Sequence, residues 1–223
     1  MVTAMLRYGV GVGCLLMVLA LWACSGVPTF VARDEPWRAE EEKACLASGL
    51  VRETEFVTAR SALGGPSACG ALKPFKVAAT ARGAVALDPP ALLRCPMVHA
   101  VEHWMERVVV PAAHFYLGSE VVGVKVLSSY SCRPMNNVDG ALLSEHGHAN
   151  AVDISAFFLA DGRTVTLTGG WEGAPPEQKF LRAVHRGACS VFTTVLSPDY
   201  DSHHHDHFHL DLARHREDGR ICK

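Results

Sequence analysis

The chain opens on an almost unbroken apolar run from Tyr8 to Ala23, preceded by Arg7 and followed by small and polar residues. A membrane-spanning helix needs about 20 such residues, and this run is shorter, so it reads as an export signal. Residues 25–40, with their Ser-Gly-Val-Pro-Thr and Arg-Asp-Glu-Pro-Trp-Arg stretches, read as a polar tether. Beyond it the apolar positions fall into two periods. Leu72 to Leu87 predicts a strand pair broken at Ala81-Arg82-Gly83. After Pro89-Pro90 the spacing predicts a helix from about Ala91 to Tyr116, with Leu92, Val98, Val101, Trp104 and Val108 buried. Pro111 should kink or split it. Val121–Tyr130, Ala151–Leu159 and Thr164–Thr168 read as strands, the last two joined by an Asp161-Gly162 hairpin turn. Arg133 to Asn137 is turn-prone, and residues 176–192 predict a helix with Phe180, Leu181, Val184 and Phe192 facing inward. Thr193–Leu196 and Phe208–Leu212 complete the strands. Helices beside a small, mostly antiparallel sheet make an α+β fold.

Composition narrows the setting. With 223 residues, 49% of them hydrophobic, the chain can build one domain with a real core, placed at residues 41–223. A net charge of −2 and scattered Lys and Arg argue against nucleic acid and against a polybasic membrane patch. Membrane contact is expected only through the N-terminal segment, and a monomer is expected.

Cysteine usage points outside the cytoplasm. Leu21-Trp22-Ala23-Cys24 resembles a bacterial lipobox, in which Cys24 is lipidated; cleavage near Ala23 and a retained signal anchor are the alternatives within residues 1–24. The periplasm or cell envelope is the expected location in each case. Cys45, Cys69, Cys95, Cys132, Cys189 and Cys222 remain, an even number that suits three disulfides. Six cysteines allow 15 pairings; a local Cys45–Cys69 staple is expected. Without a C-x-x-C pair, a cysteine-rich zinc finger is not.

The chemistry concentrates in two segments. Ser144 to Asp153 places His146 seven residues before Asp153, and Asp206-His207-Phe208-His209-Leu210-Asp211 follows further on. His146, Asp153 and His209 offer two imidazoles and a carboxylate, a three-ligand set for Zn²⁺ with a fourth position open. His207 and His209, at i and i+2, share a face if extended. Asp211 is a candidate to hold a ligand histidine. His99, His103, His114, His148, His185 and His215 read as solvated or hydrogen-bonded residues, and His203, His204 and His205 as an exposed cluster.

Ser144-x-His146, then Ala151-Val152-Asp153 and the later His207-x-His209, resemble the zinc peptidases that include D-Ala-D-Ala carboxypeptidases, murein endopeptidases and hedgehog-type domains. Those proteins usually carry glycine where this chain has Ala149. Ser128 to Asn136 resembles their Ser-Gly-Tyr-Arg-Ser segment, which makes Arg133 the candidate substrate contact, displaced by two places. Over about residues 45–222 the chain resembles the extensin-like C-terminal domain family of bacterial envelope proteins. The resemblance is carried by Leu93-Arg94-Cys95-Pro96, Ser129 to Arg133, Ser144 to Phe157, Phe180-Leu181-Arg182, Ala188-Cys189, Asp206 to Asp211 and Cys222. It implies a disulfide-stapled, zinc-peptidase-like fold.

The resemblance also implies a zinc-dependent peptidase of peptidoglycan peptides, of D,D-endopeptidase or carboxypeptidase type. Two residues compete as base. Asp206 stands three before His209, where the carboxypeptidases place a glutamate; His207 stands two before, as in the murein endopeptidases. The alternatives are a non-catalytic module that binds zinc or peptidoglycan, and a metal buffer built on His203 to His209.

Overall fold

A computed structural model describes residues 29–223, apart from the side chain of Asp218. The apolar leader, Cys14, Cys24 and residues 25–28 lie outside the described residues. Among those described, no helix is long and apolar enough to cross a membrane.

Helix α1 (Trp37–Ser48) leads into short strands β1 (Val57–Ala59), β2 (Leu63–Gly64) and β3 (Gly70–Ala71). The hairpin of β4 (Phe75–Thr80) and β5 (Val85–Leu93) turns through Ala81 and Arg82, both at positive φ. The expected break is therefore where the turn forms, but β5 runs past Pro89-Pro90, and the predicted helix does not begin at Ala91. Buried Val85, Leu87, Ala91 and Leu93 give this stretch a strand's burial, and Ala91 and Leu93 pair with Val77 and Phe75. The prolines sit where the pairing register shifts, a place where their missing N–H costs no ladder bond. Helix α2 (Cys95–Trp104) starts instead at Cys95, with Pro96, whose fixed φ suits a first helical turn, as its second residue.

A π-helical turn, Met105–Val109, separates α2 from α3 (Val110–Leu117). Pro111 has no N–H to donate to the residue four back, and its ring crowds that carbonyl; the widened turn just before it accommodates both. The extra residue also rotates the apolar face, so Val109 is buried and Val108 only half-buried. Leu92, on a strand rather than a helix, is likewise only half-buried, correcting two expected core positions.

Strands β6 (Val121–Ser128), β7 (Ala151–Leu159), β8 (Thr164–Thr166), β9 (Thr194–Leu196), β10 (Phe208–Asp211) and β11 (Ile221–Cys222) complete the main sheet. The single turn α4 (Leu167–Gly170) ends β8 earlier than expected, and α5 (Pro175–Val191) is the second long helix. The sheet has nine strands in the order β1-β4-β5-β6-β7-β10-β9-β11, with β8 also on β7. Two contacts, β5–β6 and β9–β11, are parallel; the rest are antiparallel. This is the expected α+β class. One edge of β7 is shared: Ala151–Ile154 pairs with β10 and Ala156–Phe158 with β8.

One sheet face carries the helix layer. Trp104 packs edge-on against Phe157 and Phe192, Phe157 against Phe180, and the indole N–H donates to Val184 O at 3.0 Å. Phe208 and Leu210 of β10 join this core, so His209 and Asp211 point the other way, as a period of two requires. Val152 and Ile154 of β7 likewise send Asp153 to that second face. Three disulfides staple the domain: Cys45–Cys95, Cys69–Cys132 and Cys189–Cys222. The expected Cys45–Cys69 staple is wrong, because α1 packs along α2 and takes Cys45 to its first residue.

Candidate metal centre

Asp153 lies directly opposite His209 on β10 and Ser128 on β6. Cross-strand neighbours share a face, so the ladder register alone brings Asp153 and His209 together. His146 arrives on a 3₁₀ turn, Glu145–His148, where Ser144 Oγ accepts from the His146 N–H. Ala149 closes that turn at φ +50°, the left-handed geometry glycine adopts without strain. The ligand atoms of His146, Asp153 and His209 all lie within 4.8 Å of one another.

Hydrogen bonds assign the ring nitrogens. A backbone carbonyl can only accept, so the 2.6 Å contact of His146 Nδ1 with Ser129 O puts the ring proton on Nδ1. In the neutral ring Nε2 is then a lone pair, and in the imidazolium it turns a proton toward Asp153. It is buried without a hydrogen-bond partner, although Asp153 Oδ2 is 3.1 Å away. An acceptor nitrogen facing a carboxylate oxygen across that gap fits a cation between them. His209 Nε2 donates to Asp211 Oδ2 at 2.9 Å, and Asp211 Oδ1 accepts from the Ala213 N–H at 2.9 Å. His209 Nδ1 meets Asp153 Oδ1 at 2.9 Å.

The electrostatics agree with this donor set. Burial raises the Asp153 carboxyl, but the His146 and His209 rings, when protonated and donating to it, outweigh this and hold the group far below the usual carboxylate range. Burial lowers His209 in turn, yet its bonds to Asp153 and Asp211 push it up to about 10. In the metal-free chain His209 is thus protonated between two carboxylates, where a divalent cation can replace the Nδ1 proton. Two imidazole nitrogens and a carboxylate oxygen suit Zn²⁺.

Around the trio, His207 is buried just before β10, with Nδ1 on Asp206 Oδ1 at 2.7 Å and Nε2 at 3.7 Å from Asp153 Oδ1. Asp206 is directed at His207 rather than at the trio. Arg133 lines the cleft above it, an open space of about 580 Å³ with Val31, Leu127, Met135 and Tyr200 also on its walls. A second grouping of His185 with Cys189 and Cys222 offers no thiolates, since both sulfurs are in a disulfide.

The structure buries one histidine expected at the surface and brings further residues to the cluster. His204, expected to be exposed, is buried; its Nδ1 bonds Asp201 Oδ1 at 2.6 Å and its ring centroid lies 5.3 Å from that of His207. Residues 29–36 run along the domain, with Val31 bridging Leu142 and lining the cleft. Arg38 then makes a two-pronged ion pair with Glu145, the neighbour of His146, and Glu145 also accepts from Asn150 at 2.6 Å. Trp37 stacks under Arg38 and Arg214, 4.4 and 4.3 Å from its centroid. The run Ala39-Glu40-Glu41-Glu42-Lys43-Ala44 has helix-forming composition and was the available signal for α1.

Fold and site together define a disulfide-stapled α+β domain with a histidine and aspartate cluster on the sheet face opposite α2, α3 and α5. The model of the family described as extensin-like protein C-terminus matches residues 43–223, and the chain belongs to that family. Neither the curated proteins nor the solved structures yield a match to the chain.

Proposed function

We propose that this chain is a zinc-dependent peptidase of the bacterial cell envelope that cleaves peptidoglycan peptides, as a D,D-endopeptidase or carboxypeptidase. The observation that carries the reading is the trio of ligand atoms within 4.8 Å on the cleft floor, with His146 Nε2 buried beside Asp153 and without a hydrogen-bond partner. The resemblance of the Ser144 to Asp153 and His207 to His209 segments to zinc peptidases supports it, as does the export-type leader. His146, Asp153 and His209 would hold the ion, and a zinc ion there supplies Lewis-acid activation of water and of an amide carbonyl.

The chain's own groups divide the remaining work. Asp211 orients His209 and fixes its Nε2 proton. His207 presents Nε2 at the edge of the trio and can take up a proton there, its Nδ1 proton held by Asp206. Arg133, on the cleft wall, offers a planar cation to a peptide carboxylate or carbonyl. The test is to incubate the chain lacking residues 1–24 with purified murein sacculi and zinc, reading products by mass spectrometry against His209→Ala. New peptide fragments absent from the variant would identify the bond cleaved. Tight binding of one zinc per chain with no products would replace the peptidase by a non-catalytic binding module.

A further inference from the structure

His146 reaches the trio on a single 3₁₀ turn, whereas Asp153 and His209 sit on strands of the main sheet. Ser129 O aims the imidazole ring, which leaves the backbone beneath it to be fixed. So short a turn has little rigidity of its own, and its ligand is placed only as well as its two ends are held. A metal geometry tolerates displacements of only about 0.5 Å.

Both ends are tied to the start of α1. At the first residue of the turn, Arg38 Nη1 donates to Glu145 Oε2 at 2.7 Å and Nη2 donates to Glu145 Oε1, across 107 residues of chain. Glu145 Oε2 also accepts from Asn150 Nδ2, which joins the first residue of the turn to a residue just beyond it. At the far end, the Arg94 N–H donates to Ala149 O at 2.9 Å, and Arg94 Nη2 donates to Arg38 O at 2.7 Å. The Arg38 and Glu145 side chains are only 11% and 15% exposed, so the fork escapes most of the screening that weakens surface ion pairs.

Upstream, Glu35 accepts from Arg38 Nε at 2.7 Å. The backbone before it runs beside the stretch that leads into the turn. Gly140 N–H donates to Thr29 O, Val31 N–H to Ala141 O, and Leu143 N–H to Val31 O. All of residues 29–38 lie ahead of residue 43, where the match to the family begins.

We propose that residues 29–38 are a clamp on the turn that carries His146, with Arg38 the positioning residue that sets His146 through Glu145. The metal centre of this chain thus extends beyond the family-matched region. The proposal rests on the trio's binding zinc and does not require that the trio be catalytic.

The test titrates Zn²⁺ into the full chain in detergent, in competition with a chromophoric chelator. It also records the visible absorption of the Co²⁺-loaded chain, which follows coordination geometry. Thermal midpoints of the metal-free chains read stability separately, and every titration runs below them. Arg38→Ala should weaken zinc binding about 10- to 100-fold, as loss of a partner that orients a ligand does, and should alter the Co²⁺ bands. Arg38→Lys keeps the charge but not the fork and should weaken binding less. It covers the case in which Arg38→Ala does not fold. Adding Glu145→Gln to Arg38→Ala should cost little more, because both act through one contact. Unchanged zinc affinity and Co²⁺ bands in the Arg38 variants that fold would overturn the clamp alone, as would losses that multiply in the double variant. No metal uptake by the unaltered chain would overturn the zinc reading and the clamp together.

Discussion

The bond to Asp206 places a ring proton on His207 Nδ1, so that in the neutral imidazole Nε2 is the basic atom facing Asp153. His207→Ala should therefore keep one tightly bound zinc and lower turnover about 10²- to 10⁴-fold, the usual worth of a positioned base. Asp206→Asn should also keep the zinc and lower turnover less, about 10- to 100-fold, as a partner that orients the base. Calorimetric zinc titration beside kcat/KM checks both; a larger loss for Asp206→Asn would make the aspartate the base. His146, Asp153 and His209 were legible as a candidate cluster because their side-chain types and spacing survive translation into a strand and a turn, which bring them within 4.8 Å of one another. His204 was not, since its burial follows from the loop folding back onto the cluster.

At the scale of elements, the helix layer is set by how closely its helices pack against one another. The π-helical turn before α3 brings Val108 against Gly187 of α5, where an added Cβ would stand 2.3 Å from Val108 Cγ1. Alanine in a helix interior is worth about 1 kcal/mol over glycine. Val108 is β-branched and cannot swing away, so overpacking at about 1–3 kcal/mol should win. Gly187→Ala is expected to lower the denaturation midpoint, and Val108→Ala added to it should recover part of the loss. Unchanged stability in the single variant would show that the helices separate at little cost. The periodicity of α5 made Phe180, Leu181 and Val184 readable as core, whereas the register change at the π turn moved burial from Val108 to Val109 and broke the simple pattern.

Across the whole molecule, three disulfides close long stretches, with Cys69 and Cys132 separated by 63 residues. This bridge lies against the turn that carries His146, since an added Cβ at Gly147 would be 3.4 Å from Cys69 Sγ. Replacing Cys69 and Cys132 together by Ser should cost about 2–4 kcal/mol, chiefly by freeing the unfolded chain. It should also weaken zinc binding, because the turn loses a support. Urea unfolding and chelator competition measure the two effects, and full zinc affinity in the variant would show that the Arg38–Glu145 contact holds the turn unaided. The sequence by itself determined the α+β class, an even set of cysteines and the side-chain types of the candidate cluster, because alternation, helical spacing and side-chain chemistry are local properties. Only the tertiary structure decided the disulfide partners, the end of β5 at Leu93, the packing of α1 against the ligand turn and the burial of Arg94. Each of these depends on which distant segments meet, and that is set by competition for burial and backbone hydrogen bonds across the whole sheet.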